Sequence, residues 1–130
     1  MAHGTFQVPF PVNEPVLSYA PGSAEREELQ EMYNKMYNQD PIDVPMYIGG
    51  EMVSTSDKRP MTPPHEHGKI LGHSNYGDAS HVDAAITAAL SARKKWAAFS
   101  FVDRATIFLK AADLIAGKYR AKLNAATMLS

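Results

Sequence analysis

Apolar residues recur along this chain with two different periods, and each period marks a kind of element. At Leu29, Met32, Tyr33, Met36 and Tyr37 they fall at i, i+3, i+4, i+7 and i+8, the stripe of an amphipathic helix. Ser23 stands where an N-cap belongs, and Glu25, Glu27 and Glu28 follow in the first turns, where the helix dipole favours negative charge. The helix is predicted to end near Asn38, before Pro41. Ahead of it, residues 1–22 hold Pro9, Pro11, Pro15 and Pro21, which impose extended or turn geometry. That segment reads as an arm lying on another surface.

After Pro41 the period shortens. In "VPMYIGGEMVST" the pair Gly49-Gly50 separates two short β-favouring runs, and both glycines can take the positive φ that a two-residue hairpin turn demands. The polar, Pro-rich "SDKRPMTPPHEHGK" reads as a loop and "KILGHSNYG" as a further strand before Gly77. Helical spacing then returns at Val82, Ala85, Ile86, Ala89 and Leu90, with Ser80 and Asp83 as a capping-box-like start and Trp96 farther along. Ser100 with Asp103 opens a second such helix through Ile107, Phe108, Ala111, Ala112, Leu114 and Ile115, closed or kinked at Gly117. The stripes of these two helices are expected to pack on each other. In the closing "AKLNAATMLS", Ala121, Ala125, Met128 and Leu129 lie on one face of a helix that starts near Tyr119. No capping Gly, Asn or Pro follows the last periodic residue, so the pattern is that of a helix still running. The chain is therefore expected to be the front piece of a longer protein.

Composition narrows the classes. A chain of 130 residues, 45% hydrophobic and 21% charged, suits one modest core and argues against disorder. The absence of cysteine excludes disulfides, thiolate zinc sites and a cysteine nucleophile within these residues. The first twenty residues contain no Lys or Arg, so neither a secretory signal nor a mitochondrial presequence is expected, and the product is read as cytoplasmic. No apolar run approaches the roughly 20 residues of a membrane span; Lys110 interrupts even "TIFLKAADLIAG". The net charge of −1 hides an imbalance, with 11 acidic and 5 basic residues in 1–78 against 3 and 8 in 79–130. The basic half is not interleaved with aromatics as a stacking platform would be, so it reads as solvated helix surface. Neither a nucleic acid nor a membrane is expected as a partner.

Candidate chemistry is sparse. His65, Glu66, His67 and His73 are ordinary zinc ligands by type. Yet "HEHG" lacks the second His one helical turn on, and its neighbouring prolines forbid the helix that would align such a pair. The stretch is therefore read as a polar loop. There is no G-x-S-x-G elbow, P-loop or G-x-G-x-x-G. Trp96, the only tryptophan, is placed by its stripe as a packing anchor and not as a substrate ring. Taken alone, the residues give a scaffold with no catalytic, cofactor-binding or metal-binding site.

Three stretches carry a resemblance. "NEPVLSYAPGSAERE", "IDVPMYIGGEMV" and "HGKILGHSNYGDASHVDAAITAALSARKKWAAFSFVDRATIFLKAADLIAGKYRAKLNAATML" together resemble the amino-terminal portion of an aldehyde dehydrogenase. The similarity extends over nearly the whole chain, and "NEPVLSYAPGS" and "DRATIFLKAADLIAG" are its most specific parts. The resemblance implies an α/β fold, of which this segment supplies mainly helices, a β-hairpin and a further short strand. It implies two parts: residues 1–40, the Pro-rich arm and first helix, and residues 41–130, the start of the NAD-binding domain. It further implies NAD as cofactor, L-glutamate γ-semialdehyde as substrate, L-glutamate as product in proline catabolism, and homo-oligomers at full length. The family's cysteine nucleophile, activating glutamate and oxyanion donors map onto no residue here. The alternative is a non-catalytic helical interaction module derived from such a front end.

Overall fold

The structure, a computed structural model, describes residue 10 and residues 12–130; the part of the expected arm at residues 1–9 and 11 lies outside the described residues. From residue 12 to residue 20 the chain has no regular structure, and Tyr19 adopts a left-handed φ of 51°. Helix α1 follows at Ala24–Asn38, the span its stripe predicts. Its start differs in mechanism. Ser23 is extended as an N-cap should be, but its side chain makes no cap bond and its Oγ is buried without a hydrogen-bond partner. The backbone does the work instead, with the Ser23 carbonyl accepting from the Arg26 and Glu27 amides and Ser23 N–H donating to Ala20.

Five short strands come next: β1 (Ile42–Val44), β2 (Met46–Ile48), β3 (Glu51–Val53), β4 (Lys58–Met61) and β5 (Gly72–Asn75). β2 and β3 form the expected hairpin, turning through Gly49 at φ 64° and Gly50 at φ 95°. β5 is the expected further strand, but it is the middle of a three-stranded sheet ordered β1-β5-β4, parallel to β1 and antiparallel to β4. Two strands are thus added to the sequence reading. β4 lies inside the stretch read as a loop, and Pro60 is tolerated in it because β4 is an edge strand. Gly72 is required where β1, β4 and β5 meet, since a Cβ there would stand 2.4 Å from the Ile42 carbonyl oxygen.

Helices α2 (Ala79–Ala98), α3 (Phe101–Ala116) and α4 (Arg120–Leu129) complete the order. The cap of α2 corrects the expectation: Asp78, not Ser80, is the N-cap, and its Oδ1 accepts from the Ser80 and His81 amides at 2.9 and 3.3 Å. Asp is as good a cap as Ser, and starting two residues earlier brings His81 to N3, where Nδ1 lies 3.2 Å from Asp78 N. For α3 the expected device holds, with Ser100 Oγ accepting from Asp103 N–H at 3.1 Å.

α4 packs against α1, and there Ala121, Ala125 and Leu129 are buried while Met128 stays half exposed. α2 lies over the β2–β3 turn, close enough that a Cβ on Gly49 would touch Ala88. The expected packing of α2 on α3 is not found. The two meet through Trp96, whose ring stands edge-on to Phe108 at 6.5 Å and 5.9 Å from Phe99. Their stripes stay open, with Val82, Ile86, Leu90, Ile107, Phe108 and Ile115 all exposed. Only Phe99 and Ser100 separate the two helices, and neither stripe covers the other.

Candidate functional site

A buried polar side chain ties the strands together. Asn75 ends β5, is 8% exposed and is the buried polar residue of the described chain. Its Oδ1 accepts from Thr55 N–H at 2.7 Å; its Nδ2 donates to the Val44 carbonyl at 3.0 Å and to Asp43 at 3.1 Å. Asp43 also receives Lys58 Nζ at 2.9 Å and Ser54 Oγ at 3.5 Å. The Lys58 ammonium, helped by Asn75 and Ser54, holds the Asp43 carboxyl below the usual carboxylate range. Thr55 continues the chain of contacts, its hydroxyl donating to the Tyr76 carbonyl at 2.8 Å. Every member is matched, so the cluster fixes β1, β3, β4 and β5 relative to one another. It leaves no free base or nucleophile. Sequence gave no cue to Asn75, because its partners sit 20 to 32 residues away.

The histidine-rich stretch does not assemble. Glu66 accepts from the Tyr37 hydroxyl at 2.6 Å, a bond that pushes the Tyr37 phenol up, and Lys69 stands over the same ring at 4.8 Å. His73 is committed to β5, opposite Pro60 on β4 and Asp43 on β1. Among the described residues no three His, Cys, Asp or Glu side chains converge as metal ligands. At the head of α2, Asp78 is held well below the carboxylate range by hydrogen bonds from Ser80 and His81.

Two cavities flank the α1–α4 pair. One, of about 590 Å³, lies under Tyr19 and is lined by Arg26, Leu29, Gln30, Tyr33, Asn34 and Met128. The other, of about 490 Å³, is apolar and runs between Met36, Ile42, Met61, Leu71, Ala126 and Leu129. Neither sets a side-chain carboxylate, imidazole or thiol beside its hydroxyls, Tyr19 and Tyr33 in the first and Thr62 and Ser130 in the second, so neither pairs a nucleophile with an activating base. No helix among the described residues is long and apolar enough to cross a membrane.

Comparison with known proteins supplies what the geometry lacks. Residues 52–130 match the model of the aldehyde dehydrogenase family. The chain is 47% identical over 125 residues to the delta-1-pyrroline-5-carboxylate dehydrogenase of Agaricus bisporus, an alignment that covers 96% of the chain and 23% of that relative. It is 42% identical over 117 residues to the human enzyme of the same name, described as mitochondrial, covering 90% of the chain and 21% of the relative. Among solved structures it superposes with a TM-score of 0.93 and 42% identity on Mycobacterium tuberculosis Delta-pyrroline-5-carboxylate dehydrogenase bound with NAD and cobalamin, covering 99% of the chain and 24% of that protein. The chain thus spans about a quarter of the length of the proteins it matches.

Proposed function

Because the chain belongs to the aldehyde dehydrogenase family, we propose that it forms the amino-terminal part of an NAD-dependent dehydrogenase that oxidises L-glutamate γ-semialdehyde to L-glutamate in proline catabolism. The observation that carries this reading is identity of 42–47% to relatives named for that activity, over nine-tenths or more of the chain. NAD serves as the hydride acceptor in such an enzyme. Among the described residues, the N-terminus of α2 already carries the Asp78 carboxylate on the Ser80 and His81 amides, and that of α3 carries Ser100 on the Asp103 amide with the Asp103 carboxylate beside it, a negative charge at each that disfavours a pyrophosphate. We propose that the catalytic, cofactor and metal sites lie outside these 130 residues; the lack of a cysteine nucleophile within them supports this reading.

The proposed division is an arm with the first helix at 1–40 and the start of the NAD-binding domain at 41–130; the family match beginning at residue 52 supports it. Homo-oligomers and a cytoplasmic location are proposed for the full-length enzyme, the latter against relatives named mitochondrial, and cell fractionation decides it. The open stripes of α2 and α3 favour a second reading, a non-catalytic module that binds through them.

A chimera separates the readings. Residues 1–130 replace the matching segment of the A. bisporus relative, and NADH formation from glutamate semialdehyde is followed by absorbance. An active chimera is expected, with no turnover by the 130-residue chain alone. A folded chimera that binds NAD yet leaves the semialdehyde unoxidised overturns the dehydrogenase reading.

A further inference from the structure

The arm, α3 and α4 meet at one side chain. Arg120 opens α4, and its guanidinium serves two acceptors: Nε donates to the Ala116 carbonyl at 2.8 Å, and Nη2 pairs with the Glu14 carboxylate. Ala116 ends α3, so its carbonyl is among the last four that no intrahelical N–H reaches. A planar fork of donors suits this double duty, because placing one N–H places the others. The arm has a second tether at Tyr19, whose hydroxyl accepts from Asn124 Nδ2 at 2.9 Å and whose carbonyl accepts from Arg26 Nη1 at 3.4 Å.

Little else holds either partner. Val12 is 84% and Val16 99% exposed, so burial seats the arm only at its Leu17–Tyr19 end and not around Glu14, and the left-handed φ of Tyr19 opposes its conformation. α3 rests chiefly on α4 and leaves Ile107, Phe108 and Ile115 open, so burial does not set its direction either. The elbow between α3 and α4 is closed by the Gly117 amide on Asp113 and the Tyr119 amide on Leu114.

We infer that the arm is a strap that locks the α3–α4 elbow through Arg120. When the strap is seated, Glu14 holds the guanidinium against the Ala116 carbonyl. When Glu14 leaves, the guanidinium turns to water and the end of α3 loses its outside donor. The ion pair is partly exposed, so added salt weakens the lock.

Hydrogen exchange read by mass spectrometry on the 130-residue chain at low micromolar concentration tests this. Glu14→Gln is expected to speed exchange several-fold in peptides covering 12–20 and 113–120, with α1 unchanged. Tyr19→Phe, which removes the hydroxyl bond to Asn124 and leaves both the Arg26 bond to the Tyr19 carbonyl and Arg120 untouched, is expected to speed the arm alone. Arg120→Lys keeps a cation for Glu14 but lacks the fork, and is expected to loosen the elbow. If Glu14→Gln frees the arm while the elbow exchanges at the wild-type rate, or if neither changes, the lock does not exist. Should Glu14→Gln unfold the chain, seen as faster exchange throughout α1, a salt series on the wild type decides. Going from about 0.05 M to about 0.5 M, across which screening rises steeply, must speed the elbow before α1, and equal rates at both ends overturn the proposal.

Discussion

Asn75 concentrates the residue-scale physics of this chain. A buried amide that loses its partners leaves their groups unsatisfied, at a cost of about 1–3 kcal/mol. Asn75→Ala strands Thr55 N–H and the Val44 carbonyl together, so a loss near the upper end of that range is expected, read as a lower denaturation midpoint at unchanged slope. Asp43 gives a pH prediction. Its folded pKa is lowered, so its contribution is complete above the unfolded value of about 3.9 and is lost as pH falls through the lowered folded value. Thermal stability should therefore fall below about pH 4, and Asp43→Asn should flatten that part of the profile. A variant profile parallel to that of the wild type would remove Asp43 from the account. None of this was legible in the sequence, where Asn75 is one polar residue in a short strand and Asp43 one acid among fourteen. Their roles come from partners that only the folded sheet brings near.

At the scale of elements, legibility followed the range of the signal. The helices were readable because a 3.6-residue stripe and its cap lie within one stretch of chain, and the hairpin because Gly49 and Gly50 carry the turn themselves. β1 and β4 were not, since three or four residues show no period and their pairing depends on β5, up to thirty residues away. The N-cap of α2 lies two residues ahead of the predicted one because Asp78 and Ser80 are both good caps, and Asp78 alone closes a reciprocal box with His81 at N3. Asp78→Ala should therefore lower the melting temperature and helical circular dichroism more than Ser80→Ala. The reverse order would restore Ser80 as the cap. In α4 the buried stripe makes Leu129→Ala costly, about 2–4 kcal/mol if the site relaxes little, while Met128→Ala should cost much less.

The whole molecule is an unbalanced packing problem. The α1–α4 pair and the two small sheets satisfy their buried side-chain polar groups apart from Ser23 Oγ and bury a narrow core, yet α2 and α3 present apolar faces to water. Val82, Ile86 and Leu90 lie on one side of α2; Ile107, Phe108 and Ile115 line α3, with Trp96 between the two helices at 40% exposure. Covering such a face gains roughly 25 cal/mol per Å², and isolated soluble chains rarely leave patches of this extent open. The reading of the chain as one part of a longer enzyme assigns that cover to the rest of the fold. Alone, the chain can gain that burial only from copies of itself. Sedimentation velocity of residues 1–130 should therefore show association that grows with concentration. Val82→Lys, Ile86→Lys and Leu90→Lys together should reduce it without loss of helix, because these side chains make little of the existing core and like charges on the two α2 faces repel. The wild-type chain should also melt broadly, since α2 and α3 are held by few tertiary contacts while α1 and α4 share a packed face. A monodisperse monomer with one sharp transition would show that the open faces are stable in water, and would shift the balance toward the self-standing interaction module.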